Sequence, residues 1–78
     1  MSTSTLDAAA VDVSFENRRL LVSLRDGRII SVPLSWFPRL DGSDSRALGD
    51  WRLIGNGEGI HWNELDEDLS VASLLRVA

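Results

Sequence analysis

Residues 11–34 read VDVSFENRRLLVSLRDGRIISVPL, and their apolar positions recur every second residue in three successive runs. Val11, Val13 and Phe15 alternate with Asp12, Ser14 and Glu16. Leu20, Val22 and Leu24 make the second set, and Ile30, Val32 and Leu34 the third. Period two marks strands with one buried face, so the stretch predicts a three-stranded antiparallel meander. A register slip of one residue would turn a whole apolar set outward, so parity tests the turns. A two-residue loop at Asn17-Arg18 sets Phe15 against Leu20, Val13 against Val22 and Val11 against Leu24. Arg18 is its weak point, because the second loop position favours glycine. At the next turn a two-residue Asp26-Gly27 loop would mix the faces. A three-residue loop Arg25-Asp26-Gly27, with Gly27 left-handed at a bulge, instead pairs Val22 with Ile30 and Leu20 with Val32.

Outward from the meander, Pro33 closes the third strand. Ser35 is the expected N-cap of a short helix through Trp36 and Phe37 to Leu40, with Pro38 in its first turn. Asp41-Gly42-Ser43-Asp44 is turn-forming, and another helical turn is expected within 45–50. Residues 51–62, WRLIGNGEGIHW, predict a second β-hairpin about Asn56-Gly57. Counting from that turn pairs Leu53 with Ile60, Trp51 with Trp62, Arg52 with His61 and Ile54 with Gly59. Leu65, Leu69, Val71, Leu74 and Leu75 lead into a short C-terminal helix capped by Ser70. Residues 1–10, MSTSTLDAAA, carry no apolar period and read as a flexible tail, which leaves 11–78 as one α+β domain.

Composition narrows the function. A chain of 78 residues is one domain at most, and its small core buries only roughly 60% of the unfolded surface. It has no cysteine, which excludes disulfides, thiolate catalysis and cysteine-ligated zinc. No apolar run approaches the ~20 residues of a membrane span, and no signal peptide opens the chain. A cytoplasmic protein is therefore expected. All eight basic residues are arginine and they are scattered among twelve acids, for a net charge of −4. Nucleic-acid binders usually concentrate basic charge to neutralise phosphates, so this balance argues against that class. The absence of lysine removes Schiff-base chemistry, and no nucleophile elbow is present.

Each candidate motif has a structural alternative. Gly55-Asn56-Gly57-Glu58-Gly59 lacks the endings of either nucleotide-binding loop, and its glycines suit a tight hairpin. His61, the only histidine, could be a base or a metal ligand beside Asp66, Glu67 and Asp68, or a strand histidine bonded to one of those carboxylates. The three acids lack the spacing of a calcium loop. They suit either a helix N-terminus or an acidic knob for an arginine-rich partner. Trp51 and Trp62 fit the core, whereas Trp36 with Phe37 is the better candidate for an exposed contact.

With these residues in view, Arg28 to Pro33, LSWFP at 34–38 and the run from Trp51 to Leu75 (GNGEGIHW, LDED and the following Ser) resemble the domain of unknown function 2442 family. The resemblance covers about four-fifths of the chain. It implies an α+β domain with an antiparallel sheet, and no established activity. It also implies, for members encoded beside another short protein, a toxin–antitoxin-like or other two-component pairing. Asn63 stands where the family commonly has proline, and 44–47 lacks the usual acidic-Gln helix.

The expected protein is thus α+β: a three-stranded meander, a short helix, a second hairpin and a terminal helix. Its expected role is a non-enzymatic interaction or regulatory module without cofactor, contacting a partner protein through Trp36, Phe37, His61, Asp66, Glu67 and Asp68. Two readings stay open beside it. One is a transcriptional or nucleic-acid-associated regulator using hairpin-end arginines; the other is a small metal-binding or catalytic domain centred on His61. Self-association through an open edge strand is a separate expectation.

Overall fold

Strand β1 (Ala10–Glu16), β2 (Arg19–Leu24) and β3 (Ile29–Pro33) form one antiparallel sheet in that order, in a computed structural model that describes residues 8–77. A 3-10 turn (Leu34–Trp36), α1 (Pro38–Asp41) and α2 (Ser45–Leu48) lead to the second sheet. That sheet orders β4 (Trp51–Ile54), β5 (Gly59–Trp62) and β6 (Glu67–Ser70), and α3 (Val71–Val77) follows. The fold is α+β, as the pattern predicts.

The first hairpin turns on Asn17 and Arg18, both left-handed with φ of 51° and 62°. This is the conformation whose twist matches the strands it joins, and Arg18 adopts it without glycine's freedom. Phe15 faces Leu20 and Val13 faces Val22, as expected. Val11 does not face Leu24. The register shifts between Ala10 and Asp12, Ala10 takes the place opposite Leu24, and Val11 is left 46% exposed. The cause lies outside the hairpin. The Ala10 N–H donates to Gly57 O at 2.8 Å, a close backbone approach where a small side chain packs more readily than valine. Ala9 O also accepts from Arg25 N (2.8 Å) and Ala8 packs on the core, so residues 8–10 of the expected tail are held against the domain. Residues 1–7 of that tail lie outside the described residues.

The second turn is the bulged one. Gly27 has φ 99°, Gly27 N donates to Leu24 O (3.0 Å) and Leu24 N to Arg28 O (2.8 Å). Val22 accordingly faces Ile30 and Leu20 faces Val32. Asp26 accepts from both the backbone N–H and the guanidinium of Arg28, at 2.8–3.2 Å. The Arg28 side-chain hydrogen bond, then its backbone bond, holds the Asp26 carboxyl below its ordinary 3.8. A carboxylate depressed in the folded state stabilises fully above 3.8, and that contribution fades as pH falls through the lower folded value. Acid unfolding of Asp26→Asn should therefore begin from a slightly less stable protein at neutral pH and show a shallower loss below pH 3.8. An unchanged acid limb would remove Asp26 from the account.

Ser35 does not cap a continuous helix. It lies inside the 3-10 turn, while Phe37, at φ −127° and ψ 86°, precedes Pro38 at the first position of α1. The proline ring disfavours helical backbone in the residue before it, so Phe37 breaks one expected helix into two short pieces. Asp44 caps α2 through Ala47 N (2.9 Å). The β4–β5 pairs are all four of those expected, and Ser70 caps α3 through Ser73 N (3.1 Å). The fold adds a strand unmarked in the sequence, because β6 pairs with β5 through Glu67–Trp62, Asp68–His61 and Leu69–Ile60. The core joins both sheets: Leu20, Val22, Val32, Leu40, Ile60, Trp62 and Leu74 are fully buried.

Candidate interaction surface

Leu69 sits on β6 beside Asp68, and strand alternation sends the two side chains to opposite faces. On the Leu69 side lies a groove of about 590 Å³ lined by Trp36, Phe37, Leu69, Ser73, Leu74 and Val77. The break at Phe37–Pro38 builds one wall, since it ends the 3-10 turn with Trp36 49% exposed while Phe37 packs partly on the core. The last two turns of α3 build the other, where Leu74 is buried and Val77 is 58% exposed. Among the described residues Ser73 is the only polar liner, and its hydroxyl accepts from Ser70 Oγ at 2.7 Å. An apolar trough beside an exposed tryptophan can take up hydrophobic side chains, and tryptophan is enriched where binding energy concentrates.

The six expected contact residues do not share this surface. Trp36 and Phe37 are in it. His61 and Asp68 are directly opposite on the other face of the second sheet, with Nδ1 donating to Asp68 Oδ1 at 2.5 Å. This is the strand histidine bonded to a neighbouring carboxylate. Asp66 lies in the β5–β6 loop at φ 51°, and its carbonyl and that of Leu65 accept from Arg39 Nη1 at 3.3 and 3.2 Å. Glu67 points to the groove side and lies 3.9 Å from Arg39 Nε. Three acids contiguous in sequence are thus divided among a loop and two sheet faces, and they form no single acidic knob. Among the described residues no three His, Asp or Glu side chains converge on a metal position.

The hairpin-end arginines are divided as well. Arg18 and Arg19 lie at one end of β2, Arg25 and Arg28 at the other, roughly 20 Å apart for six extended residues. Arg18 is 3.5 Å from Asp41, Arg19 binds Ser31, Arg25 Nη2 donates to Asn56 O (3.3 Å), and Arg28 pairs with Asp26. Arg46 forms a bidentate pair with Glu64 at 2.7 and 2.8 Å, which raises the guanidinium pKa, and fastens α2 to the β5–β6 loop. The glycine-rich loop closes on itself: Glu58 Oε1 accepts from Asn56 N at 3.0 Å, and Gly55 and Gly57 take positive φ. No helix among the described residues is long and apolar enough to cross a membrane.

The sequence singled out Trp36 and Phe37 but not Leu69, Ser73, Leu74 and Val77. The signal present was Ser73, Leu74 and Val77 at helical spacing, which in sequence is indistinguishable from a core stripe.

Comparison with known proteins places residues 10–78 within the profile of a family described as protein of unknown function (DUF2442). A crystal structure of a protein of unknown function from Rhodospirillum rubrum is similar, with a TM-score of 0.76 and 28% sequence identity. The similarity covers 88% of this chain and 86% of that one. No curated protein matches.

Proposed function

We propose that this chain, which belongs to the DUF2442 family of proteins of unknown function, is a small non-enzymatic module that binds a partner protein through the Trp36 groove. The observation that carries this reading is the exposure of Trp36 and Val77 on the two walls of one apolar trough. In a domain with so little core, two large side chains left outside it are more economically explained by a partner than by packing. His61, the obvious candidate for chemistry, is held by Asp68 on the face of the second sheet away from the groove. Cytoplasmic action beside a second small protein, in a toxin–antitoxin-like pair, is the form of this role that the family resemblance suggests.

The test is capture from native lysate at moderate salt with wild type, Trp36→Ala and Val77→Asp. Losing an aromatic anchor costs about 2 kcal/mol or more, so the stoichiometric partner should bind each variant at least ~30-fold more weakly. Both variants should unfold within a few degrees of wild type, because neither side chain is in the core. A partner that binds Trp36→Ala as well as wild type, or no stoichiometric partner at all, would overturn the proposal.

A further inference from the structure

Strand β3 lies at the edge of the first sheet and reads Ile29-Ile30-Ser31-Val32-Pro33, without a charge and with Ile29 64% exposed. A short, uncharged, β-branched run at an open edge is the pattern that recruits another strand. The hydrogen bonds around β3 define what it has left to offer. Leu24 N–H to Arg28 O and Leu34 N–H to Arg18 O bracket a ladder in which Leu20–Val32 and Val22–Ile30 are the bonded pairs. The N–H and C=O of Ile29 and Ser31 therefore point away from β2. Pro33, the next outward position, has no N–H.

One side chain reaches over this edge. Arg19, on β2, donates from Nε to Ser31 Oγ at 2.7 Å and from Nη2 to Ser31 O at 3.2 Å. We infer that Arg19 is a guard that closes the β3 edge against pairing with a second copy of this chain. A second copy is the occupant the edge fits. Antiparallel pairing about a two-fold axis at Ile30 sets Ile29 of each copy opposite Ser31 of the other. That arrangement gives four main-chain hydrogen bonds, two of them to the Ser31 carbonyls that Arg19 occupies. No charged side chain within β3 would meet its own copy. The edge strand β6 would instead bring Glu67 and Asp68 against theirs.

The inference is independent of the Trp36 groove and is tested separately. Arg19→Thr keeps a good strand residue at an exposed position but cannot reach the Ser31 carbonyl. In sedimentation over a concentration series, wild type keeps the mass of one copy, and Arg19→Thr rises towards twice that mass. Its self-association tightens at least about tenfold, the scale of two recovered hydrogen bonds. Adding Ile29→Pro, which deletes an outward N–H and no ladder bond, returns Arg19→Thr to one copy. Amide exchange in the unmodified protein gives a second readout: Ile29 and Ser31 exchange faster than Ile30 and Val32. The inference is overturned if Arg19→Thr keeps the mass of one copy, if the Ile29→Pro double variant still dimerises, or if Ile29 and Ser31 are as protected as their neighbours in wild type.

Discussion

Trp62→Ala should remove a large share of the domain's stability. Trp62 is 0% exposed, its indole lies edge-to-face on Phe15 with centroids 6.4 Å apart, and its Nε1–H donates to Leu48 O at 2.9 Å. It is thus the point where β1, the end of α2 and the second sheet meet. Truncating a buried tryptophan to alanine costs about 3–5 kcal/mol through lost transfer energy and the cavity left behind. A domain of 78 residues has about 4–12 kcal/mol in all, at about 0.05–0.15 kcal/mol per residue. Trp62→Phe should lose less, about 1–3 kcal/mol, because a ring still fills much of the space while Leu48 O loses its donor. Urea melts followed by circular dichroism measure both. A loss below about 1 kcal/mol for Trp62→Ala would mean that the sheets are held together elsewhere.

Gly57→Ala should cost far more than Gly27→Ala, although the two glycines share nearly the same φ. Their φ angles are 98° and 99°, so the strain of placing an L-residue there is common to both, about 1–2 kcal/mol. Their surroundings differ. A Cβ on Gly27 meets nothing within 4 Å, whereas one on Gly57 would lie 2.5 Å from Ala10 O, 2.8 Å from Ala10 N and 3.0 Å from Ala9 Cβ. The first two are backbone atoms, and the Ala10 N–H is bonded to Gly57 O, so the neighbour cannot move aside without breaking that bond. Gly57→Ala should therefore lose about 2 kcal/mol or more beyond Gly27→Ala, the scale of an overpacked contact. Equal losses in a paired denaturation experiment would show that the seam between β1 and the β4–β5 turn yields freely.

The candidate surface was legible in sequence only by half. Trp36-Phe37-Pro38 stands out because two large aromatics precede a proline at a position too short for a helix to bury them both. The opposite wall did not stand out, since Leu74 and Val77 at helical spacing look the same whether they face a core or a groove. The acids misled for a related reason. Asp66, Glu67 and Asp68 read as one patch when taken for a loop before a helix, but in an extended strand neighbouring side chains leave in opposite directions. Glu67 goes to Arg39 and Asp68 to His61.

By itself the sequence determined the register of three hairpins, because each register follows from the parity of its apolar positions and the chemistry of a few turn residues. Both kinds of information are local, and Asn17-Arg18, Gly27 and the Gly55–Gly59 loop carry them within a few positions of the pairs they align. Only the tertiary structure decided that Glu67–Ser70 is a strand, that Val11 bulges out while Ala10 turns in, and that Trp36 faces Val77. The β6 strand has little strand propensity of its own and is held by one edge of β5, whose other edge is paired with β4. The bulge answers to the backbone of Gly57, far along the chain, and the groove exists only because α3 docks beside the 3-10 turn. These outcomes depend on which distant surfaces are left to bury, and burial is a property of the assembled fold rather than of any window of its sequence.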